Sequence, residues 1–266
     1  MVKGNGSMKI KTLVKKLGKE FPLNLAETWD NVGLLVGDEN REITKVQISL
    51  DATEEVIDHA IEVGANLIIT HHPMIFSGLK NITSKNFMGR KVMKLIENKI
   101  AVYSMHTNLD SANGGLNEYI ATKLEAKNTK ILDEKKDIDR GSLGGLGRIY
   151  TLETPTELGK YLEFVKEKLE LQNVKVVGDL EKKIKKIAVV NGSGASYLNK
   201  VEKLGVDLFI TGDIKYHEGL DAREMGIALF DIGHYESEYF FTDLIVKHCE
   251  DLEVEIYNDE PVFKNL

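Results

Sequence analysis

One pattern of elements occurs twice in this chain, and the repeat limits the fold more than any other feature of the sequence. In the first copy, residues 45–50 are typical of a strand, residues 52–63 of a helix and residues 64–70 of a second strand. Residues 186–211 repeat this unit with a shift of 141 and without a gap. A strand–helix–strand unit has parallel strands and a right-handed crossover. The repeat therefore predicts an α/β fold with two pseudo-equivalent lobes.

Each copy is followed by a third strand and then by a histidine with a carboxylate four residues later. The third strands are residues 100–104 and 227–231, and the pairs are His106 with Asp110 and His234 with Glu238. The shift between the pairs is 128, so a gap is needed, although the order of elements is kept. A helix is predicted after each pair. Both carboxylates thus lie in or just before a first helical turn, where the helix dipole favours negative charge.

The first lobe also has two adjacent histidines, His71 and His72, at the end of its second strand. Residues 67–70 are apolar or β-branched, and Pro73 cannot extend a central strand. Ligands of open α/β sheets bind at this carboxyl end, and adjacent residues that leave a strand point in different directions. His71 and His72 therefore suit two metal ions better than one. Taken alone, they could equally be loop histidines without a role.

The tandem histidines and the two histidine–carboxylate pairs together predict a metal site. Such ligands suit zinc, iron, manganese, cobalt or nickel, and the absence of cysteine ligands argues against a structural zinc site. A carboxylate can bridge two ions about 3.5–4 Å apart, as in two-metal hydrolases. Two divalent ions and two carboxylates leave a charge of about +2, which would attract an anion. The pattern therefore favours hydrolysis of a phosphate- or nucleotide-bearing substrate.

Five motifs of the chain resemble those of a known family. They are Trp29-Asp30-Asn31, Thr70-His71-His72-Pro73, His106-Thr107-Asn108-Leu109-Asp110, Thr211-Gly212-Asp213 with His217, and Gly233-His234-Tyr235-Glu236-Ser237-Glu238. Their combination and order are similar to those of the dinuclear-metal proteins known as GTP cyclohydrolase 1 type 2 homologues or NGG-interacting-factor-like proteins. The resemblance covers nearly all of the chain after residue 7. It implies a duplicated three-layer α/β/α fold whose two pseudo-equivalent βαβ lobes share one dinuclear metal site. It also implies a toroidal homohexamer with metal centres that face an internal cavity.

The resemblance further implies which residues hold the metals. By motif match, the ligands of the two divalent ions are His71, His72, Asp110, His234 and Glu238. The repeat pairs His106 with the ligand His234, but the family pattern does not make His106 a principal ligand. We therefore interpret His106 as a catalytic residue that transfers protons or orients a ligand. A purely structural histidine is the alternative. His217 could line the pocket.

The predicted domain boundaries follow from the repeat. Residues 1–7 are expected to be a leader outside the fold, residues 8–127 the first lobe, residues 128–183 a connecting strand–helix–strand segment, and residues 184–266 a second lobe intertwined with the first. The glycine-rich residues 140–148 lie in the connecting segment. They fit no phosphate-binding loop pattern, so a flexible connector is the favoured interpretation.

Composition argues against several classes of protein. The 266-residue chain has a net charge of −7, which disfavours a general nucleic-acid binder. It has no apolar run of the roughly 18 residues that a membrane span needs. The single cysteine, Cys249, cannot form an internal disulfide, which fits a reducing compartment. We therefore expect a cytoplasmic protein, and the charge of the expected metal site favours a small anionic or nucleotide substrate.

Two other functions fit the same sequence features. The chain could be a metal-handling protein that binds, stores or transfers ions without turnover. It could also be a ring scaffold, with nucleic acid or protein as partner, whose metal has only a structural role. Catalysis and storage use the same ligands, so the ligand set does not separate them, whereas open coordination positions would favour catalysis and a closed shell would favour storage. The acidic net charge counts against the scaffold.

Overall fold

The fold is known from a computed structural model that describes residues 8–137 and 141–263. The predicted leader, residues 1–7, lies outside the described residues. The described chain divides into two compact units. The first extends to Leu109 and also includes Phe240–Glu260, whereas the second contains Asp110–Tyr239 and the residues from Pro261 onwards.

The first unit contains a five-stranded sheet. Its strands are β1 (Gly33–Val36), β2 (Val46–Ser49), β3 (Leu67–Thr70), β4 (Ala101–Ser104) and β11 (Val254–Ile256), in the spatial order β1-β4-β3-β2-β11. Strands β2, β3, β4 and β11 are parallel, and β1 is antiparallel to β4. The helices are α1 (Ile10–Glu20), α2 (Glu54–Glu62), α3 (Phe87–Glu97), α10 (Phe241–Val246) and the short α4 (Thr107–Ser111), which continues into the second unit.

The second unit contains a six-stranded sheet. Its strands are β5 (Lys130–Asp137), β6 (Gly141–Glu157), β7 (Lys175–Val177), β8 (Lys183–Ser193), β9 (Leu208–Gly212) and β10 (Ala228–Asp231), in the order β5-β6-β8-β9-β10-β7. The helices are α5 (Leu116–Lys123), α6 (Leu158–Lys168), α7 (Leu198–Lys203), α8 (Tyr216–Glu224) and α9 (His234–Glu238). Among the helices of the described residues, none combines the length and the apolar composition that a membrane span requires.

Apolar side chains from helices cover each sheet. Strands β2, β3 and β4 are buried along their whole length, as expected for a parallel sheet packed on both faces. In the first unit, the packed side chains include Val56 and Ile57 of α2, Val92 and Leu95 of α3, and Ile68 and Val102 of the sheet. In the second unit, they include Leu198 and Val201 of α7, Ala222 of α8, and Ala188, Phe209 and Leu229 of the sheet.

The pairing of the strands confirms the repeat. Val46 lies opposite Leu67 in the first sheet and Ile187 lies opposite Leu208 in the second, which reproduces the shift of 141. The third strand of each lobe pairs in the same way but with a shift of 127. One extra residue follows β10, where Gly233 has a φ of +89°, and restores the shift of 128 seen at the histidines. The duplicated α/β fold expected from the sequence is thus present.

The glycine-rich segment is not the flexible connector that the sequence predicts. Arg140 lies outside the described residues, and the remainder of the segment belongs to β6, which pairs with β5 as an antiparallel hairpin. At Gly145, a Cβ atom would lie 2.1 Å from the carbonyl oxygen of Asp133 on β5. The glycine therefore permits a close approach of two strands. The predicted connecting segment, residues 128–183, contributes β5, β6, β7 and α6 to the second unit.

Candidate metal centre

His71 and His72 leave the carboxyl end of β3, where the sequence predicts them. The backbone N–H groups of both residues donate to the carbonyl oxygen of Leu50, at 3.1 and 3.0 Å. The hydroxyl of Thr70 donates to the carbonyl oxygen of His72 at 2.9 Å. The two imidazole rings lie 5.1 Å apart between centroids and are inclined by 46°. The end of the strand is therefore fixed, and the two rings lie side by side without being parallel.

In both rings, Nδ1 faces an oxygen atom that can accept a hydrogen bond. Nδ1 of His71 lies 2.8 Å from the carbonyl oxygen of Met105, which can only accept a hydrogen bond. Nδ1 of His72 lies 3.1 Å from a carboxylate oxygen of Asp51. A proton on Nδ1 places the lone pair of a neutral imidazole on Nε2. This is the tautomer that most metal-ligating histidines adopt, with an oxygen acceptor behind the ring.

His106 joins these two histidines. Its ring centroid lies 5.2 Å from that of His71 and 5.6 Å from that of His72. The ligand-capable nitrogens of the three residues lie within 4.8 Å of one another. Nδ1 of His106 is also held by a carboxylate, since it lies 2.9 Å from Oδ1 of Asp30. The first unit thus presents three imidazoles whose Nε2 atoms can bind a metal or a proton.

Asp30 is the best-anchored acceptor of this group. Its Oδ2 accepts hydrogen bonds from the backbone N–H of Thr107, at 3.1 Å, and from the Thr107 hydroxyl. The same hydroxyl accepts from the backbone N–H of Glu27 at 2.8 Å. Burial raises the pKa of Asp30, but the hydrogen bonds from His106 and Thr107 outweigh it and lower the pKa to about 2. Asp30 is therefore an anion at neutral pH and holds the proton of His106 on Nδ1.

In the second unit, His234 opens helix α9 and lies between two carboxylates. Its Nδ1 lies 2.6 Å from Oδ2 of Asp213, and its Nε2 lies 3.0 Å from Oε2 of Glu238. Asp213 has a φ of +56°, a left-handed conformation that non-glycine residues seldom adopt and that is enriched at functional sites. Glu238, one helical turn after His234, is buried. Nε2 of His234 and the carboxylate of Glu238 therefore lie close enough to bind one cation.

A single amide links the two buried carboxylates of the second unit. Nδ2 of Asn191, on β8, donates to Oδ1 of Asp110 at 2.9 Å and to Oε1 of Glu238 at 3.0 Å. The amide of Asn117 orients Asn191, because its Oδ1 accepts from the Asn191 backbone N–H at 3.0 Å. Only 4% of the surface of Asp110 and 2% of the surface of Glu238 are exposed to solvent. Two buried carboxylates held by one amide favour a cation beside them, and a divalent metal ion would supply that charge.

Gly192 leaves space for this arrangement. A Cβ atom at Gly192 would lie 2.4 Å from Oε1 of Glu238. Its backbone N–H donates to the hydroxyl of Ser237 at 2.8 Å, and that hydroxyl donates to the carbonyl oxygen of His234 at 2.7 Å. The carboxyl end of β8 therefore holds the helix α9 by hydrogen bonds.

Comparisons with known proteins give the same assignment as the motifs. The model of the family Duf34/NIF3 (NGG1p interacting factor 3) matches residues 8–261. The chain belongs to this family. The GTP cyclohydrolase 1 type 2 homolog of Clostridium perfringens is 44% identical over 232 residues, which cover 87% of each chain. A crystal structure of a Staphylococcus aureus hypothetical protein matches with a TM-score of 0.87 and 34% identity, over 98% of this chain and 100% of that one. A Bacillus cereus protein related to NIF3 matches with a TM-score of 0.89 and 26% identity, over 98% and 100%.

The donor set of this Duf34/NIF3 protein fits divalent metal ions in both units. The predicted residues His71, His72 and His106 come together in the first unit, and Asp110, His234 and Glu238 come together in the second. His217 lies on the exposed surface of α8. His59 and His248 make other contacts, with Gln47 and with the ring of Phe21.

Four supporting residues of the site carry no predicted role. They are the three aspartates behind the histidines and the amide between the carboxylates: Asp30, Asp51, Asp213 and Asn191. Asp30 and Asp213 belong to the motifs that carry the resemblance, but the motifs do not predict that these aspartates accept a hydrogen bond from a histidine. No sequence motif indicates a role for Asp51 or Asn191, because only the folded strands bring these residues to their partners.

Proposed function

We propose that this chain is a divalent-metal-dependent hydrolase that acts on a phosphate- or nucleotide-bearing substrate. The observation that carries the proposal is the orientation of the histidines. Nδ1 of His71, His72 and His234 each faces an oxygen acceptor, so each ring directs Nε2 away from it as a ligand atom. His59 also has an oxygen facing its Nδ1, but it belongs to no group of candidate metal ligands among the described residues, whereas the three site histidines do.

The metal ligands in this proposal are the five residues of the family pattern. They are His71, His72, Asp110, His234 and Glu238. Three imidazoles and two carboxylates suit two ions of zinc, iron, manganese, cobalt or nickel. When bound, such ions supply Lewis-acid chemistry and a nucleophile at neutral pH.

His106 is the proposed catalytic residue. Its Nδ1 proton is held by the carboxylate of Asp30, at 2.9 Å, so Nε2 is the atom that can accept or release a proton. The carboxylate orients the imidazole, as in other histidine–aspartate pairs. The relatives named GTP cyclohydrolase 1 type 2 homolog support a purine nucleotide as the first substrate to test.

The test is turnover after metal loading. Wild-type protein loaded with each candidate metal is assayed with a panel of nucleotides and phosphoesters, together with His106→Ala and the control His59→Ala, a histidine of α2. We expect metal-dependent hydrolysis by the wild type and by His59→Ala. His106→Ala should retain its metal but lose about 10²–10⁴-fold in turnover, the usual size of acid–base catalysis.

The other outcomes of this test assign the alternatives. Loss of metal in His106→Ala makes this residue a third histidine ligand, and an unchanged rate with intact metal makes it structural. Absence of turnover by a metal-loaded wild type on every substrate contradicts the hydrolase and leaves a metal-handling protein or a scaffold.

We also propose a cytoplasmic homohexamer. The hexamer rests on the family resemblance, and the location rests on the use of a single cysteine in a chain of this length.

A further inference from the structure

Two exposed aromatic rings lie side by side in the first unit. Trp29 and Phe76 keep 56% and 54% of their surface exposed, although both are large apolar residues. Their ring centroids are 5.8 Å apart and their planes are inclined by 40°. We call this pair the aromatic pair. Exposed apolar residues that cluster, in contrast to scattered ones, mark binding surfaces.

Hydrogen bonds of the neighbouring residues hold both rings in place. Trp29 precedes Asp30, whose carboxylate is bonded to His106 and Thr107. Phe76 follows Ile75, whose carbonyl oxygen accepts a hydrogen bond from the side-chain amide of Asn31 at 2.5 Å. The two segments that carry the rings are thus joined to each other and to the histidine cluster. Little conformational entropy has to be lost when a ligand binds to such a surface.

The aromatic pair lies next to the proposed catalytic residue. The ring of Trp29 meets the ring of His106 edge to face, with centroids 6.0 Å apart and planes inclined by 71°. A substrate whose reacting group lies at Nε2 of His106 therefore has these rings within reach of its remaining atoms.

We infer that the aromatic pair binds the flat heteroaromatic ring of the substrate, a nucleobase, by stacking. The inference rests on the proposed function, because it assigns the base to Trp29 and Phe76 and the phosphate to the metal site. Aromatic faces bind bases through stacking with little preference among sequences or substituents. The exposed indole and phenyl faces offer this contact, and the positive charge of bound metal ions complements a phosphate.

Trp29 is the only tryptophan of the chain, so its fluorescence reports on this surface alone. Zinc-loaded protein is titrated with guanosine monophosphate and, separately, with ribose 5-phosphate, which has the phosphate but no base. We expect saturable quenching by guanosine monophosphate only. In Phe76→Ala the dissociation constant should rise about tenfold or more, as for loss of one stacking partner. The control is Phe87→Ala, another exposed aromatic residue, whose ring contacts Lys91 and whose loss should leave the titration unchanged.

Three outcomes overturn the inference. One is equal quenching by both probes, and another is an affinity that Phe76→Ala does not change. The third is tryptophan emission that changes with protein concentration but does not change when either probe is added, which would mean that another copy of the chain covers the rings. Zinc content and turnover are measured on the same samples. Base-dependent quenching by a protein that turns over no substrate of the panel contradicts the hydrolase but not the stacking surface, whereas turnover without base-dependent quenching contradicts only the stacking surface.

Discussion

At the scale of single residues, the site is defined by what lies behind each imidazole. His106 and His234 occupy matching places after the third strand of each lobe, and an aspartate accepts from Nδ1 of each ring. The aspartates come from different parts of the chain, however. Asp30 precedes β1, whereas Asp213 follows β9 at the position that corresponds to His72 in the repeat. The two lobes therefore reach the same ring orientation with different residues.

Asp259 gives a prediction of pH dependence at this scale. Its Oδ2 accepts a hydrogen bond from the backbone N–H of Leu50 at 2.6 Å. Burial and the nearby charge of Asp51 raise its pKa from 3.8 to about 6, although the bond from Leu50 opposes this change. Between these values the folded protein keeps a proton that the unfolded chain has lost. The free energy of unfolding contributed by Asp259 should therefore be fully present below about pH 4 and be lost as the pH rises through about 6.

The side chain of the variant Asp259→Asn stays neutral at every pH, so it never places a negative charge at this buried position. The difference in the free energy of unfolding between variant and wild type should change by about 1 kcal/mol in favour of the variant from about pH 4 to about pH 7. This figure is reduced for the partial solvent exposure of the group. Urea unfolding of both proteins, freed of metal with a chelator, measures this difference. A difference in stability between variant and wild type that is the same at both pH values would contradict the assignment.

At the scale of elements, two glycines of the second unit, one at the end of β8 and one between α7 and β9, distinguish the effect of backbone strain from that of ligand placement. Gly192 and Gly205 have φ values of +58° and +66°, so an alanine should cost each protein about 1 kcal/mol of stability. Only at Gly192 would the new Cβ meet Oε1 of Glu238, whereas nothing lies within 4 Å at Gly205. We expect similar losses of melting temperature but loss of bound zinc in Gly192→Ala alone. Equal zinc content in the two variants would show that Glu238 is not a ligand.

The elements differ in how far the sequence predicts them. The repeat places β2, β3, β8 and β9 correctly, because buried parallel strands are continuous apolar runs. The site histidines are predicted from the ends of strands, and these ends are where the structure places them. The strand β6 could not be predicted from its glycines, because its pairing with β5 is tertiary and overrides the low strand propensity of glycine. The sequence analysis also contains no prediction of helices α3 and α8.

The supporting residues of the site show the same limit. Asp30 and His106 are separated by 76 positions, and Asn191 and Asp110 by 81. Local periodicity carries no information about such contacts. Ligand types can therefore be predicted from a motif, whereas the acceptors that orient them depend on the folded chain.

At the scale of the whole molecule, the family resemblance predicts a homohexamer. Val262 and Phe263 keep 88% and 86% of their surface exposed in the single chain, a feature that contact with other copies would explain. Light scattering during size-exclusion chromatography should give a mass about six times the 29.8 kDa of the chain. A mass of one chain at all concentrations would contradict the hexamer, and it would leave the ligand assignments unaffected.

The metal content of the chain tests the central claim most directly. Elemental analysis of zinc-loaded, desalted protein should give about two ions per chain, as expected for a two-metal site. His72→Ala should retain about one ion or fewer, because an alanine supplies no ligand. His59→Ala, which removes a histidine bonded to Gln47, should retain about two. A wild type without stoichiometric metal, or full occupancy in both His71→Ala and His72→Ala, would contradict the account.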